Sequence, residues 1–344
     1  MPQLNIKLPR ACEPTLALGA DGVNAIASAS GHGCMLHEPF GDLELADNLA
    51  SFEKKVEEII EKEDIKTIVC DAHPGYFSTS LGLEMAERSG CRLQKVQHHK
   101  AHVAAAALEH GLSEYMGIAC DGLGYGDDGK LWGGEVFLCK GGVFKRIGHL
   151  EEQRQLGGDS AARQPKKMLF GILHRFLGEG KLQEFFSQDE IDVYSKLLKD
   201  NYNVFTTTST GRVLDAASAL LGICDRMTYP GEPAIMLEKR SSDEHYELAP
   251  KIAGGVLDTT HLFSFLIDNL DKDKRKLART AQLYIAEGLY SIASQHDMPI
   301  VFSGGVAHNK IISDHLKSRG VFLNKKIPPG DAGIAVGQIA ICIS

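Results

Sequence analysis

The sequence predicts an internally duplicated α/β protein with a ligand cleft between its two halves. Residues 15–31 and residues 116–142 each read as a strand, a glycine-containing turn and a second strand. Each of these segments is followed by alternating helix and strand patterns, which favours a sheet with packed helices in each half. The alternative is a pair of ordinary α/β domains that share no common plan.

Hydrophobic periodicity places further elements along both halves. Apolar residues at helical spacing predict helices, and short apolar runs bounded by turn residues predict buried strands. The expected elements are helices near 45–63, 160–176, 212–223 and 276–294, strands at 65–73 and 298–305, and a turn that leads into a helix over 328–341.

Composition excludes several classes of protein. A chain of 344 residues is long enough for two domains, and its net charge of −8 argues against broad binding to nucleic-acid backbones. Eight cysteines without a CxxC pair suggest neither a zinc ribbon nor a disulfide framework, so reduced thiols in a cytoplasmic protein are expected. No run of about 18 apolar residues predicts a membrane span.

The stretch "KVQHHKAHVAAAALEH", residues 95–110, places three histidines at the start of a strong helix pattern. His98 and His102 are four residues apart, so they share one face of a helix, which is a common beginning of a metal site. The alternative is a helix start with exposed polar residues. His99 points elsewhere and is expected to contact a supporting group or the substrate.

Two aspartates are candidates for the remaining metal ligands. Asp121 ends the apolar strand "MGIAC" and begins a glycine-rich turn, where a carboxylate reaches a cation easily. Asp331 lies in the tight turn "PPGDAG" before a helix, and its alternative role is that of an N-cap. Asp127 and Asp128 are interpreted as turn residues.

Glycine-rich turns suggest a nucleotide site. In "VFSGGVAHN", Gly304 and Gly305 stand where a buried strand turns into a helix, so a ribose or phosphate could approach the backbone, and Asn309 could bind the base or sugar. A purely structural turn is the alternative. Asp215, on a helix with an apolar opposite face, could bind ribose hydroxyls or simply be exposed to solvent. Neither a Rossmann, a P-loop nor a GxSxG motif is present.

Eight stretches in fixed order resemble the C-terminal carbamoyltransferase domain of the HypF family, which acts in [NiFe]-hydrogenase maturation. They span roughly residues 15–341. The stretches are "CDAHPGYFSTSLG", "VQHHKAHVAAAALEHGL", "CDGLGYGDDGKLWGGE", "LGGDSAARQP", "STGRVLDAASALLGICD", "YPGEPA", "FSGGVAHN" and "PPGDAGIAVGQ".

The resemblance implies two RNase-H-like lobes of the sugar-kinase, heat-shock-chaperone and actin superfamily. The expected lobes are residues 1–115 and 116–330, the second with a helical insertion, and the helix over 331–344 is expected to pack back on the first. The metal, iron or zinc, would be held by His98, His102, Asp121 and Asp331. Contacts to an adenine nucleotide (carbamoyl-adenylate, ATP or AMP), with or without magnesium, are expected from Asp159, Asp215, Gly231, Glu232, Gly304, Gly305 and Asn309.

The function implied by the resemblance is carbamoyl transfer from carbamoyl-adenylate to the C-terminal cysteine thiol of a HypE-like protein. His99 is the candidate base for that thiol. A YrdC-like domain or protein would supply the adenylate. The acylphosphatase, zinc-finger and YrdC-like domains typical of HypF are not among these 344 residues, so the chain is expected to be either a split gene product or an excised domain. Neither a membrane nor a nucleic acid is expected as a partner.

Some positions depart from the family pattern and affect the choice of acceptor most. Gln164 and Lys166 replace a usual glutamate and tryptophan, and Ala307 and His308 replace an aromatic residue and an amide. The alternatives are a transferase that resembles tRNA threonylcarbamoyl-transfer enzymes, a small-molecule O-carbamoyltransferase, and an ATP-binding, chaperone-like module without chemistry of its own.

Overall fold

The computed structural model describes residues 3–344, with the exception of the Asp159 side chain. Its first sheet and the helices that connect the strands come from the first third of the chain. These elements are β1 (Leu4–Ala17), β2 (Ala27–Leu36), α1 (Ala46–Lys62), β3 (Thr67–Asp71), α2 (Phe77–Ser89), β4 (Arg92–Val96) and α3 (His98–Glu109).

The second sheet and its helices come from the remainder. Their bounds are β5 (Tyr115–Tyr125), β6 (Leu131–Lys140), β7 (Val143–Leu150), β8 (Gln153–Leu156), α4 (Asp159–Arg163), α5 (Pro165–Leu173), α6 (Glu179–Leu182), α7 (Gln188–Asp200), β9 (Val204–Thr207), α8 (Thr210–Leu220), α9 (Glu232–Arg240), β10 (Ile252–Ala253), β11 (Val256–Leu257), α10 (Thr259–Asp268), α11 (Lys274–Ala293), β12 (Ile300–Ser303), α12 (Lys310–Ser318), β13 (Phe322–Leu323) and α13 (Ile334–Cys342).

The two sheets are built on the same plan. In the first, with the order β2-β1-β3-β4, β1 runs antiparallel to β2 and parallel to β3. In the second, with the order β10-β11-β7-β6-β5-β12-β13, β5 runs antiparallel to β6 and parallel to β12. The prediction of a duplicated α/β fold with RNase-H-like lobes is therefore confirmed.

Most of the predicted elements form for the reasons that their sequences suggest. Helix α1 buries Phe52, Val56 and Ile59, which recur at helical spacing. All five residues of β3 are buried, as is typical of a strand in the interior of a parallel arrangement. The prediction of a single helix near 160–176 is wrong, because this stretch forms two helices. The stretch is divided at Gln164, because Pro165 disfavours the helical conformation at the residue before it.

The last helix joins the first sheet. Ile334 and Ile339 of α13 belong to the same apolar cluster as Ala17 and Val69 of β1 and β3. A side chain at Gly337 would collide with the backbone of α3, so glycine allows α13 and α3 to pack closely. The division into lobes at residues 115 and 330 stays a prediction. None of the described helices has the length and apolar character needed to cross a bilayer.

Candidate metal centre and nucleotide cleft

The first two turns of α3 bring His98 and His102 side by side. Their Nε2 atoms are 3.2 Å apart, and each residue is only 1% exposed. The helix begins here because the side chain of Gln97 accepts a hydrogen bond from the backbone N–H of Lys100, which is an N-cap. The alternative of exposed polar residues at a helix start is therefore wrong for these histidines.

Two aspartates from distant parts of the chain meet the histidine pair. Asp121 Oδ2, on β5, lies 3.1 Å from His98 Nε2 and 3.0 Å from His102 Nε2. Asp331 Oδ1, in the turn before α13, lies 3.7 Å and 3.9 Å from the same two nitrogens. One ligand atom from each of the four residues lies within 4.8 Å of the others. The structure thus brings together all four predicted metal ligands.

This arrangement fits a transition-metal ion. A zinc or iron ion about 2.1 Å from each donor would place neighbouring donors roughly 3.0–3.5 Å apart. The separations among His98, His102 and Asp121 match this range, while the Asp331 carboxylate, at 3.7 and 3.9 Å from the two imidazoles, would move closer to complete the site. Two imidazoles and two carboxylates suit zinc or iron better than magnesium or calcium, which prefer oxygen ligands only. Asp331 does not act as a side-chain N-cap, so its carboxylate is free for such a role.

Asp71 orients the first histidine. Its Oδ2 lies 2.9 Å from His98 Nδ1, and the Asp71 side chain is fully buried. A carboxylate on Nδ1 keeps the proton on that nitrogen and turns the Nε2 lone pair towards the cluster. The sequence pattern alone does not distinguish Asp71 from its neighbours. Its position at the end of β3, a strand parallel to β1 and next to the helix with the histidines, was the available signal.

The charges of the cluster are unbalanced without a cation. Burial alone lowers the pKa of His98, but hydrogen bonds to Asp121 and Asp71 outweigh it and hold that pKa well above its usual range. Burial and the neighbouring Asp121 carboxylate raise the pKa of Asp331, although the His98 imidazole opposes this. Protons therefore supply the positive charge when no metal is bound, so metal binding is expected to release protons.

His99, the predicted base, faces away from the four-residue cluster. It is fully buried, and Gln97 Nε2 lies 2.9 Å from its Nδ1 while also donating to the carbonyl of Tyr125. Among the described residues, His99 Nε2 has no hydrogen-bond partner. Burial and the neighbouring His98 hold the pKa of His99 well below its usual range. These contacts suit a neutral imidazole that accepts at Nδ1 and carries its proton on Nε2, and the role as a base stays a prediction.

The predicted nucleotide turn lies directly against the metal cluster. Gly304 directly follows β12 and has a φ of +109°. It lies so close to Cys120 of β5 that any side chain at this position would collide with the backbone of that strand. The backbone N–H of Gly305 donates to Asp121 Oδ1 at 3.3 Å. A ligand bound at this turn would therefore adjoin the carboxylate shared by the two histidines.

Asn309 has a structural task in this turn. Its Oδ1 accepts from the backbone N–H of Ile312 at 3.0 Å as the N-cap of α12, and its Nδ2 donates to Gln282 at 2.7 Å. Both ends of the amide are thus engaged within the protein. Its contact with a nucleotide stays a prediction, as does that of Asp159, whose side chain lies outside the described residues.

Asp215 is buried rather than exposed. Its Oδ2 lies 2.6 Å from a terminal nitrogen of Arg212 on the same helix, and the residue has 0% exposure. Burial raises its pKa to about 6, although Arg212 opposes the shift. The alternative of solvent exposure is therefore wrong, and the ribose contact stays a prediction.

Gly231 and Glu232 form the start of α9, which packs against the helix of Asp215. Gly231 has a φ of +75°, a conformation that favours glycine. Glu232 accepts hydrogen bonds from the backbone and side chain of Thr228, which closes the "YPGE" turn. The fold thus brings the two predicted nucleotide segments of α8 and α9 together, while their ligand stays a prediction.

Comparison with known families shows which family the chain belongs to. Residues 10–109 match the HypF Kae1-like domain, and residues 117–338 match the family described as carbamoyltransferase, Kae1-like domain, second subdomain. This chain belongs to the HypF family of Kae1-like domains. The resemblance expected from the eight sequence stretches is confirmed.

Individual HypF proteins show how much of the family's length the chain represents. The probable carbamoyltransferase HypF of Methanocaldococcus jannaschii is 41% identical over 297 residues, which are 80% of this chain and 38% of that protein. A carbamoyltransferase HypF homolog of Cupriavidus necator is 32% identical over 355 residues, which are 94% of this chain and 90% of that protein.

Two solved HypF structures share the fold. HypF of T. kodakarensis superimposes with a TM-score of 0.91 at 28% identity, over 99% of this chain and 49% of that one. A full-length HypF in a phosphate- and nucleotide-bound form superimposes with a TM-score of 0.88 at 26% identity, over 98% of this chain and 47% of that one. The chain spans less than half the length of both structures.

Proposed function

We propose that this chain is a metal-dependent carbamoyltransferase of the hydrogenase-maturation type. It would take the carbamoyl group from carbamoyl-adenylate and pass it to an acceptor thiol, the C-terminal cysteine of a HypE-like protein. The observation that carries this proposal is the convergence of His98, His102, Asp121 and Asp331 beside a glycine turn. Family membership and the nucleotide-bound HypF relative support it.

Each residue of the cluster has a defined task. His98, His102, Asp121 and Asp331 would hold iron or zinc, and Asp71 keeps the His98 ring in the orientation that binding requires. A bound ion of this kind supplies a Lewis acid for a carbonyl oxygen. The Gly304–Gly305 backbone would hold the adenylate so that its carbamoyl end adjoins Asp121, which gives the reaction its orientation.

The carbamoyl transfer needs no oxidant, reductant or further substrate beyond the adenylate and the acceptor thiol. A bond forms between the acceptor sulfur and the carbamoyl carbon, the bond from that carbon to the AMP phosphate oxygen breaks, and the thiol proton leaves to a base. AMP is the leaving group. The adenylate would come from a YrdC-like domain or protein in the cytoplasm, with magnesium at most as a companion of the nucleotide, and neither a membrane nor a nucleic acid takes part.

The decisive experiment mixes the purified protein with carbamoyl-adenylate and three acceptors: a HypE-type C-terminal peptide, a small alcohol and tRNA. We expect metal to co-purify, and mass spectrometry to detect a thiocarbamate on the peptide. His102→Ala should lose metal and transfer while it still binds AMP, because the glycine turn does not depend on that imidazole. Normal transfer by metal-depleted His102→Ala would refute the mechanism.

Other outcomes separate the alternatives. Transfer to the alcohol or to tRNA, with an unmodified peptide, would replace the thiol acceptor by one of the alternative substrates. ATP binding that needs magnesium only, without transfer to any acceptor, would identify a chaperone-like nucleotide module. Lys130→Ala is a suitable control, because that side chain pairs with Glu152 away from the cluster.

A further inference from the structure

The carboxyl end of α3 holds a segment that lies just before the Asp331 turn. Glu109 Oε2 accepts the backbone N–H of Lys325 at 2.7 Å, and Oε1 accepts those of Lys326 at 2.7 Å and Ile327 at 3.1 Å. Three backbone donors on one carboxylate are charge-assisted hydrogen bonds, which are stronger than neutral ones. One side chain therefore fixes three consecutive backbone N–H groups of residues 325–327.

The next residue of the helix adds a second contact to the same segment. His110 Nε2 donates to the backbone carbonyl of Leu323 at 2.8 Å, and its ring centroid lies 4.7 Å from that of Phe322. Glu109 thus accepts hydrogen bonds from backbone N–H groups, while His110 donates one to a backbone carbonyl. Together the two side chains fasten both kinds of backbone group in the stretch 323–327.

This contact lies on the helix that also carries the two metal-binding histidines. From His102 to Glu109 the helix rises about 10 Å, and the four residues from Ile327 to Asp331 can span about 13 Å. The segment therefore returns along α3 from its carboxyl end towards its amino end. Beyond Asp331, Gly337 of α13 packs against the backbone of Ala101. Contacts with α3 thus hold the chain on both sides of Asp331.

We propose that Glu109 is a positioning residue for the Asp331 ligand, with His110 as its auxiliary. Helix α3 supplies two ligands directly and places a third through the segment that Glu109 binds. Asp331 comes from a turn more than 200 residues away in sequence, so its carboxylate reaches the histidines only if that turn is held in place. This inference rests on the metal site of the proposed function.

The test compares Glu109→Ala and Glu109→Gln with the wild-type protein. Metal affinity is measured by competition with a chromophoric chelator for Zn²⁺, and hydrogen exchange of the Lys325, Lys326 and Ile327 amides is measured in the metal-free protein. Glu109→Ala should exchange these amides faster and bind Zn²⁺ about tenfold more weakly, as for other residues that orient ligands. Glu109→Gln keeps one acceptor oxygen and should show a smaller loss.

A double-variant cycle separates positioning of Asp331 from a general effect on folding. In an Asp331→Asn background, Glu109→Ala should cause no further loss of Zn²⁺ affinity, because the ligand on which it acts is already gone. Glu114→Gln serves as the matched control. Its carboxylate pairs with Lys140 at 3.5 Å on an exposed surface, so wild-type affinity is expected.

Each result has a clear consequence. Equal Zn²⁺ affinity of Glu109→Ala and wild type, with faster amide exchange, would overturn the positioning role while leaving the metal site intact. An additive loss in the Asp331→Asn background would overturn it as well. Absence of Zn²⁺ binding by the wild-type protein would instead contradict the proposed function, so the two failures are distinguishable.

Discussion

Two Asp–Gly pairs stand at corresponding places in the two sheets and do different work. Asp21 follows β1, and its carboxylate accepts the backbone N–H groups of Phe77 at 2.6 Å and Ser78 at 3.0 Å, where α2 begins. Asp121 stands on β5, the matching strand of the second sheet, and contacts both histidines of α3. The Asp–Gly pair that occurs in both halves thus has a structural role in the first half and a candidate metal-binding role in the second.

The glycines of the two pairs differ in the space around them. A Cβ added to Gly22 would lie 2.8 Å from Asp331 Oδ2, whereas a Cβ on Gly122 would meet no atom within 4 Å. The turn in the first half therefore lies directly against the carboxylate of Asp331, one of the four candidate metal ligands. The candidate metal site therefore takes ligands and supporting backbone from both halves of the chain.

The largest expected effect comes from Asp121→Asn. Its carboxylate is the closest negative group to both imidazoles, so replacing it should weaken Zn²⁺ binding by at least about a hundredfold and abolish carbamoyl transfer. Metal content after purification and the chelator competition assay measure the loss. Wild-type metal content in this variant would show that the second Asp–Gly pair is structural, like the first.

A smaller effect is expected from Gly22→Ala, compared with Gly122→Ala. The new methyl group of the first variant displaces the Asp331 carboxylate, so Zn²⁺ affinity should fall about tenfold, while the second variant should bind as the wild type does. Thermal unfolding of the metal-free proteins controls for changes in the fold. If both variants bound Zn²⁺ equally well, the Asp331 carboxylate would have room to move. Gly22 would then not restrict the position of that carboxylate.

The smallest effect on the metal is expected from Asp21→Ala. This change removes two hydrogen bonds at the start of α2 and should lower the free energy of unfolding by about 1–2 kcal/mol, with Zn²⁺ affinity unchanged. Urea unfolding measures the first quantity and chelator competition the second. A loss of metal as large as that of Asp121→Asn would mean that the two pairs share one function.

Some parts of the site could be read directly from the sequence, and others could not. The spacing of His98 and His102 implies one helical face, and Asp121 and Asp331 adjoin recognisable turns, so all four were predicted as a set through the family resemblance. Asp71 and Glu109 were not singled out. Both lie inside stretches that resemble the HypF family, but the local pattern does not distinguish either from its neighbours, and each acts on a residue that only the folded chain brings near.

The residues around the predicted nucleotide-binding turn show where prediction from sequence was too specific. Asn309 was predicted from its place after two glycines, yet its amide is engaged by the cap of α12 and by Gln282. Asp215 was expected to face a ribose or the solvent, and the structure buries it beside Arg212. Polar residues in a motif have several hydrogen-bonding uses, and local sequence does not choose among them.

The sequence by itself indicated a duplicated α/β plan, with two unrelated α/β domains as the alternative. It also predicted the helix that carries the histidine pair and the resemblance to the HypF family, because periodicity and ordered motifs are local features. The tertiary structure decided how close Asp331 comes to those histidines, that Asp71 orients one of them and that Glu109 holds the returning segment. These are contacts between residues far apart in the chain, and only the packing of α3 and α13 against the two sheets brings them within reach of one another.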